Sequence, residues 1–386
     1  MDINVNKELA TVIEASSSLM TATDAQTAPV DVIISSQTTQ EYSEQKESEI
    51  NGLFERFGFN KVVQGSIMFY SDKKKSFSKS LGLASRYIKE MSAVFIEKGM
   101  PAELAFLPLI ESGYRNHASS DKSASGIWQF IPSTARRYGL KIDSWVDERR
   151  DPVKSTVAAS EYLSDMYDKF GSWNLALAAY NAGEGKIGMA IKQNKGDDYW
   201  KMRGTGYITE ETKRFIPSFV AAAAIATYPE KYGFDSIDHA KPLIYDEVVI
   251  KASMDLSTVA EFTGAGVEDI KDLNPELKSW CTPLNVSEYN LRIPAGTKES
   301  FLSRIAEATE DELFYVKVYR VAAGDTLGKI AKMFHSSVQA IIDINSLGKD
   351  AVIVAGRDIL VPVNRAEQLK AGKVVYLKPL SKCRNL

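Results

Sequence analysis

The spacing of apolar positions changes character twice along the chain. Residues 1 to about 48 are rich in Ser, Thr, Gln, Glu and Ala, with few large apolar side chains. Such a segment has little apolar surface to offset the entropy of ordering, so 1–48 reads as a flexible tether with room for short helical turns near Leu9–Ile13. From about Ile50 to Tyr228, apolar residues recur at three- and four-residue spacing, the period of helices that bury one face. Ser85–Phe95, Ala102–Ser112 and Thr156–Phe170 follow it, and in the last of these Val157, Ala158, Tyr162, Leu163, Met166 and Tyr167 make one face. Trp173–Asn181 and Lys213–Thr227 are apolar nearly all round, as buried helices are. Pro101 suits a first helical turn, whereas Pro108 predicts a kink or a break. Residues 49–230 read as one helical domain.

Beyond Tyr228 the texture shifts to short Val- and Ile-rich segments separated by Gly, Asn and Pro. An internal repeat lies here. Ala260, Val267, Ile270 and Asn274 recur 71 positions later as Ala331, Val338, Ile341 and Asn345. Each copy opens on a strand-like segment (Asp246–Ile250; Tyr315–Val321) and continues through two short helical patterns (Leu256–Thr263 and Val267–Leu273; Leu327–Phe334 and Val338–Ile344). Each closes on a strand ending in Ile-Pro or Val-Pro (Leu291–Pro294; Ile359–Pro362). The predicted unit is β-α-α-β, over 243–296 and 315–365, with a C-terminal tail at 366–386.

Composition adds bounds. The 386 residues are 44% apolar and 25% charged, as in soluble globular proteins, and long enough for a sizeable core without disulfide staples. Residues 1–50 hold nine acidic and two basic side chains, a net of −7, while the total is −3. The body is therefore mildly basic, and nothing global points to nucleic acid. Cys281 and Cys383 build no disulfide framework, and no HExxH or Cys/His cluster suggests a metal. The longest uncharged apolar stretch, Phe219 to Tyr228, falls short of the roughly 20 residues a spanning helix needs. No basic and apolar leader opens the sequence, which leaves two readings: a cytosolic protein, or an export signal outside this sequence.

The densest chemical signal is residues 111–130, ESGYRNHASSDKSASGIWQF. Glu111 ends an apolar helical run and is followed by small and hydroxyl-bearing residues. A carboxyl in such a place would meet a low dielectric, which raises its pKa and suits a general acid near neutral pH. The residues alone also allow an exposed carboxylate at a helix end. Glycosidases usually need a second carboxylate, and the nearest is Asp121.

These strings resemble the lysozyme-like soluble lytic transglycosylase domain, specifically its membrane-bound D type. The matches are ordered: Glu111-Ser112, Ser120, Gly126-Ile127-Trp128-Gln129-Phe130, Ala179-Tyr180-Asn181-Ala182-Gly183 and Glu211-Thr212, with PAELAFLPLIES from Pro101 also close to that type. The resemblance runs from about Ser85 to Tyr228. One departure is Phe215, where the family usually has Tyr, so Phe215 is given no polar role. The resemblance implies a peptidoglycan lytic transglycosylase cutting between N-acetylmuramic acid and N-acetylglucosamine, with a 1,6-anhydro product. It makes Glu111 the acid and then the base. Ser120 would polarise the acetamido carbonyl, Gln129 would bind the sugar, Tyr180 would orient Glu111 or the acetamido group, and Asn181 would bind sugar or brace the loop. For Asn181 a helix cap before Gly183 is the other reading, and Trp128 and Phe130 divide between core and cleft. No metal or diffusible cofactor is implied. The alternatives are a hydrolytic muramidase on the same fold and a non-catalytic peptidoglycan-binding scaffold.

The repeats resemble LysM modules, which bind N-acetylglucosamine-containing glycans. The second copy is the better match, with Gly324-Asp325-Thr326-Leu327 as its first-loop signature and Asn345 and Leu347 in the second loop. The resemblance implies a glycan groove formed by Gly324, Asp325, Thr326, Asn345 and Leu347. A turn and helix cap at Asp325 or Thr326 is compatible with that. The first copy has Met254-Asp255-Leu256 instead and reads as a degenerate module, a spacer or weak binder. The expected whole is a mainly α lysozyme-like domain followed by two small α+β modules. The expected partner is peptidoglycan glycan strands, with no nucleic acid, in a monomer of the periplasm or cell envelope, with a possible membrane anchor outside this sequence.

Overall fold

The computed structural model describes residues 36–364, apart from 195 and 349. The first helix among the described residues, α1 (Ser36–Phe57), corrects the tether at 36–48, which is helical. The good helix formers Gln, Glu and Lys there run directly into Ile50, Leu53 and Phe57, whose burial anchors the helix. Leu9–Ile13 and the tail at 366–386 lie outside the described residues.

Helices α2 (Lys61–Asp72), α3 (Lys74–Ala84) and α4 (Ile88–Glu97) follow. Residues 85–87, expected inside a helix, instead turn the chain between α3 and α4. Pro108 does break the next run. A 3-10 turn (Ala102–Phe106) gives way to the four-residue helix α5 (Pro108–Glu111), with Pro108 in its first turn. After α6 (Pro132–Arg137) comes α7 (Pro152–Phe170), capped by Asp151, whose carboxylate accepts from the Val153 and Lys154 amides. Ala158, Tyr162, Leu163 and Met166 are buried on α7, but Val157 and Tyr167 are more than a third exposed. The buried stripe instead takes in Ser155, Thr156, Ala159 and Ser160, because α7 packs against two neighbours, α4 and α8 (Trp173–Ala182), rather than one.

Helices α9 (Glu184–Asn194) and α10 (Tyr199–Arg203) lead to α11 (Glu210–Thr227), the central helix. It packs on α2, α5 and α8, and from Phe219 to Ile225 every side chain is fully buried.

Two βααβ units follow. In the first, β1 (Tyr245–Ile250) and β2 (Tyr289–Pro294) pair antiparallel with Val248 opposite Leu291, over α12 (Leu256–Thr263) and α13 (Val267–Leu273). In the second, β3 (Val316–Arg320) and β4 (Asp358–Pro362) pair with Val318 opposite Leu360, over α16 (Leu327–Met333) and α17 (Val338–Ile344). Helices α14 (Lys298–Glu307) and α15 (Glu310–Leu313) lie between the units. Trp145 and Val146 of the helical domain, Cys281 and Phe314, and Val316 and Ala340 of the second unit share one small core. The Trp145 indole N–H donates to Asp343 Oδ2 on α17 at 2.5 Å. The modules are therefore not beads on a string. Cys281 is buried in that junction, while Cys383 lies outside the described residues.

Candidate active site

Glu111 is placed by the shortness of α5. The amides of Ser112 and Gly113 both return to the Pro108 carbonyl, closing the helix one residue after Glu111. Ser112 is buried and its hydroxyl donates to the Ile127 carbonyl at 2.8 Å, fastening the helix end to the loop 118–130. That loop is tightly built. Gly126 has φ +82°, and a Cβ there would lie 1.7 Å from the Arg149 carbonyl oxygen, so only glycine fits. Gln129 sits at φ +50°, a conformation that costs about 1–3 kcal/mol for a residue with a side chain. Its amide N–H bonds the Gly126 carbonyl, and its side-chain Nε2 donates to the carbonyls of Gly126 (2.8 Å) and Ala118 (3.2 Å).

An open cleft of about 780 Å³ runs over these residues. Glu111, Ser120, Gln129, Tyr180 and Asn181 all line it, together with Asp121, Lys122, Tyr162, Lys186, Glu211 and Phe215. Glu111 is half-buried on its floor. Among the described residues its carboxyl makes no hydrogen bond or ion pair. Burial, followed by the like charge of Glu211, pushes its pKa up to about 8. The exposed helix-end carboxylate is therefore not what forms. Asp121 is exposed on the loop.

The remaining side chains divide their duties. The Ser120 hydroxyl oxygen accepts from the Ala124 amide at 3.3 Å, leaving its proton free for a ligand. Tyr180 donates to the Trp128 carbonyl at 2.6 Å, so its proton holds the loop rather than Glu111. Burial, then the Glu111 charge, pushes that phenol well above its ordinary range. Asn181 lies inside α8, whose cap is Gly183, which rules out the cap reading. It accepts from the Thr212 hydroxyl at 2.9 Å and donates to Glu211 Oε1 at 3.3 Å, joining two sequence motifs across the cleft. Trp128 is wholly buried with its indole N–H on Thr156, and so belongs to the core, while buried Phe130 also touches the cleft. Glu211 belongs to a sequence motif that assigns it no chemistry, and its charge reaches Glu111 only because α11 folds against α5.

In the second module the residues expected to form the groove lie in two places. Asn345 and Leu347 line a cavity of about 460 Å³ with Val318, Ile353 and Leu360, but Gly324, Asp325 and Thr326 are not on its wall. Asp325 accepts from the Tyr319 hydroxyl (2.7 Å) and the Ala322 amide (2.8 Å), and Thr326 caps α16 through the Lys329 amide. Asn345 spends both side-chain atoms on backbone, donating to the Ile341 and Leu360 carbonyls and accepting from the Leu360 amide. The reason is local: each polar atom closes a turn or joins helix to strand. Among the described residues no cluster of three His, Cys, Asp or Glu could hold a metal ion, and no helix is long and apolar enough to cross a membrane.

The chain matches the transglycosylase SLT domain over residues 92–203, the LysM-like domain of lytic transglycosylase D over 245–309, and the LysM domain over 319–362. It is 32% identical over 295 residues to the membrane-bound lytic murein transglycosylase D of Escherichia coli strain K12, covering 71% of this chain and 63% of that protein. The chain thus carries an SLT domain followed by two LysM-type modules, the order in which these family models match, and is similar to transglycosylase D. It spans a little under two thirds of that transglycosylase D relative. A putative tributyltin chloride resistance protein of Alteromonas sp. strain M-1 is 33% identical over 150 residues, 34% of this chain and 72% of that protein. The 70 kDa soluble lytic transglycosylase of Escherichia coli aligns in structure over 60% of this chain and 43% of that one, at 16% identity and a TM-score of 0.34. The SLT match falls within the helical domain, and the two LysM-type matches fall on the two βααβ units.

Proposed function

We propose that the chain is a peptidoglycan lytic transglycosylase and that Glu111 acts first as acid and then as base. The observation that carries this is one carboxyl, raised to about 8, on the floor of a cleft shared with Ser120, Gln129, Tyr180 and Asn181. At pH 7 such a group holds its proton and can give it to the glycosidic oxygen as the C1–O bond breaks. Positive charge then grows at the anomeric carbon, next to the ring's own acetamido group. The free Ser120 proton would polarise that carbonyl. The Gln129 carbonyl oxygen, which no described residue occupies, would accept a sugar hydroxyl.

The Glu111 carboxylate left behind is a strong base for the same reason that it was a weak acid. It takes the proton of the C6 hydroxyl as O6 closes on C1, which forms the 1,6-anhydro ring and restores the acid. No water is consumed. The C6 hydroxyl outcompetes water because it is already held beside C1, an effective-molarity advantage. Tyr180 and Asn181 would act on the walls of the cleft, through the Trp128 carbonyl and Glu211. The second module would hold a glycan strand at the Asn345–Leu347 cavity. Such a substrate would be met in the periplasm or cell envelope, and one copy of the chain supplies every residue of the cleft.

Asp121 lines the same cleft, which favours hydrolysis with a second carboxylate as the other reading. Digestion of peptidoglycan in ¹⁸O-labelled water decides. Mass spectrometry should find unlabelled 1,6-anhydromuramic ends, with little change of rate in Asp121→Asn. Labelled reducing ends as the main product would make the protein a hydrolase.

A further inference from the structure

Between α6 and α7 the segment 141–151 touches three things at once. Arg149 is buried, and its guanidinium forks onto Asp147, with Nε 2.8 Å from Oδ1 and NH2 2.7 Å from Oδ2. Its remaining arm reaches into the cleft loop, where NH1 donates to the carbonyls of Ser123 (2.6 Å) and Phe130 (3.0 Å). Those two carbonyls bracket the stretch that holds Gly126 and Gln129. The Arg149 carbonyl is also the surface against which Gly126 is pressed. One residue thus fixes the loop from both sides.

The other end of the segment is held by the first βααβ unit. The Asp147 amide donates to the Glu276 carbonyl at 2.8 Å, Val146 bridges Leu277, and the Lys278 amide donates to the Trp145 carbonyl at 2.9 Å. Next to this, Arg292 of β2 lies 2.9 Å from Asp151 Oδ2, with both side chains buried. Asp151 is the cap of α7, which supplies Tyr162 to the cleft wall. A module kept only for weak glycan binding has no need of a buried guanidinium aimed into the neighbouring domain.

We propose that the first module is a brace for the catalytic cleft, and that Arg149 with Asp147 are positioning residues that pass its docking to the loop 118–130. The idea rests on the transglycosylase reading for its kinetic arm alone. The loop carries Ser120 and Gln129, so a loosened loop weakens substrate binding as well as turnover. Loss of folded protein lowers apparent kcat but leaves KM where it was.

Two measurements test it on the full chain. In native-state hydrogen exchange of the wild type, the amides of Ser125 and Gly126 should lose protection at the same denaturant concentration as the Arg292 amide, as members of one cooperative unit. In Arg149→Lys the charge stays but the fork is lost. Its kcat/KM on soluble glycan oligomers should fall about 10- to 100-fold, with KM raised. Module amides that open first while the loop stays protected would overturn the proposal, and so would a KM unchanged in folded Arg149→Lys. Should that variant not fold, the wild-type exchange decides. Exchange needs no turnover, so it reads the brace even if labelled water shows hydrolysis.

Discussion

Asn274 and Asn345 hold their modules shut with the same three hydrogen bonds. Each donates to the carbonyl four residues back on its helix and to a carbonyl on the closing strand, and each accepts from that strand residue's amide. The strand residues are Arg292 and Leu360. Asn274 is fully buried and Asn345 partly so. A buried group left unsatisfied costs about 1–3 kcal/mol. Asn274→Ala should therefore lower the denaturant midpoint more than Asn345→Ala does. Glycan retention by Asn345→Ala should track its folded fraction, whereas Leu347→Ala should lose retention without losing stability.

Glu111→Gln should abolish cleavage, by the 10²–10⁴-fold that general acid–base catalysis contributes or more, since the proposed mechanism gives one residue both roles. It should also stabilise the protein. The native carboxyl keeps its proton up to about pH 8, whereas the unfolded one loses it near 4.5. Between those values the native state binds more protons, so wild-type stability falls as pH rises. Gln does not titrate. The melting temperature of the variant should exceed wild type at pH 8, and the gap should close near pH 4.5.

Glu211→Gln removes the second cause of the raised Glu111 pKa and leaves the larger one, burial. The alkaline limb of kcat/KM should move to lower pH yet stay above the ordinary carboxylate range. An unmoved limb would show that the Glu211 charge is screened at the mouth of the cleft.

Gly126→Ala should cost both activity and stability. A methyl group 1.7 Å from the Arg149 carbonyl cannot be accommodated by a side-chain rotation, because the obstacle is backbone, and φ +82° is strained for alanine. The loss should exceed about 1 kcal/mol by denaturant titration, the scale at which alanine fails where φ is positive.

What was legible in the sequence had a local signature. The repeat announced itself through Asn274 and Asn345 because each works within its own 50-residue unit. Glu111 stood out because a short apolar helix ends on it. Pro108 marked the break. The segment 141–151 gave no such sign. Asp147, Arg149 and Asp151 read as ordinary surface charges, and their partners lie as far as 141 positions away, at Arg292. Gly324, Asp325 and Thr326 carry two meanings in sequence, since a signature for a ligand groove is also a recipe for a turn and a cap. Val157 and Tyr167 failed because a helix between two neighbours buries a stripe that is not centred on its largest residues.

The core around Trp145 has a consequence for how such a chain can be cut and recombined. A splice in the linker near residue 235 keeps each fold formally whole. It would nevertheless bare Trp145, Cys281 and Phe314 together, all at most 5% exposed now. A replacement module would need counterparts of Asp343, Val316 and Leu277 in register with that loop. Cut at that linker, the helical domain would expose an apolar face that the two modules now cover together.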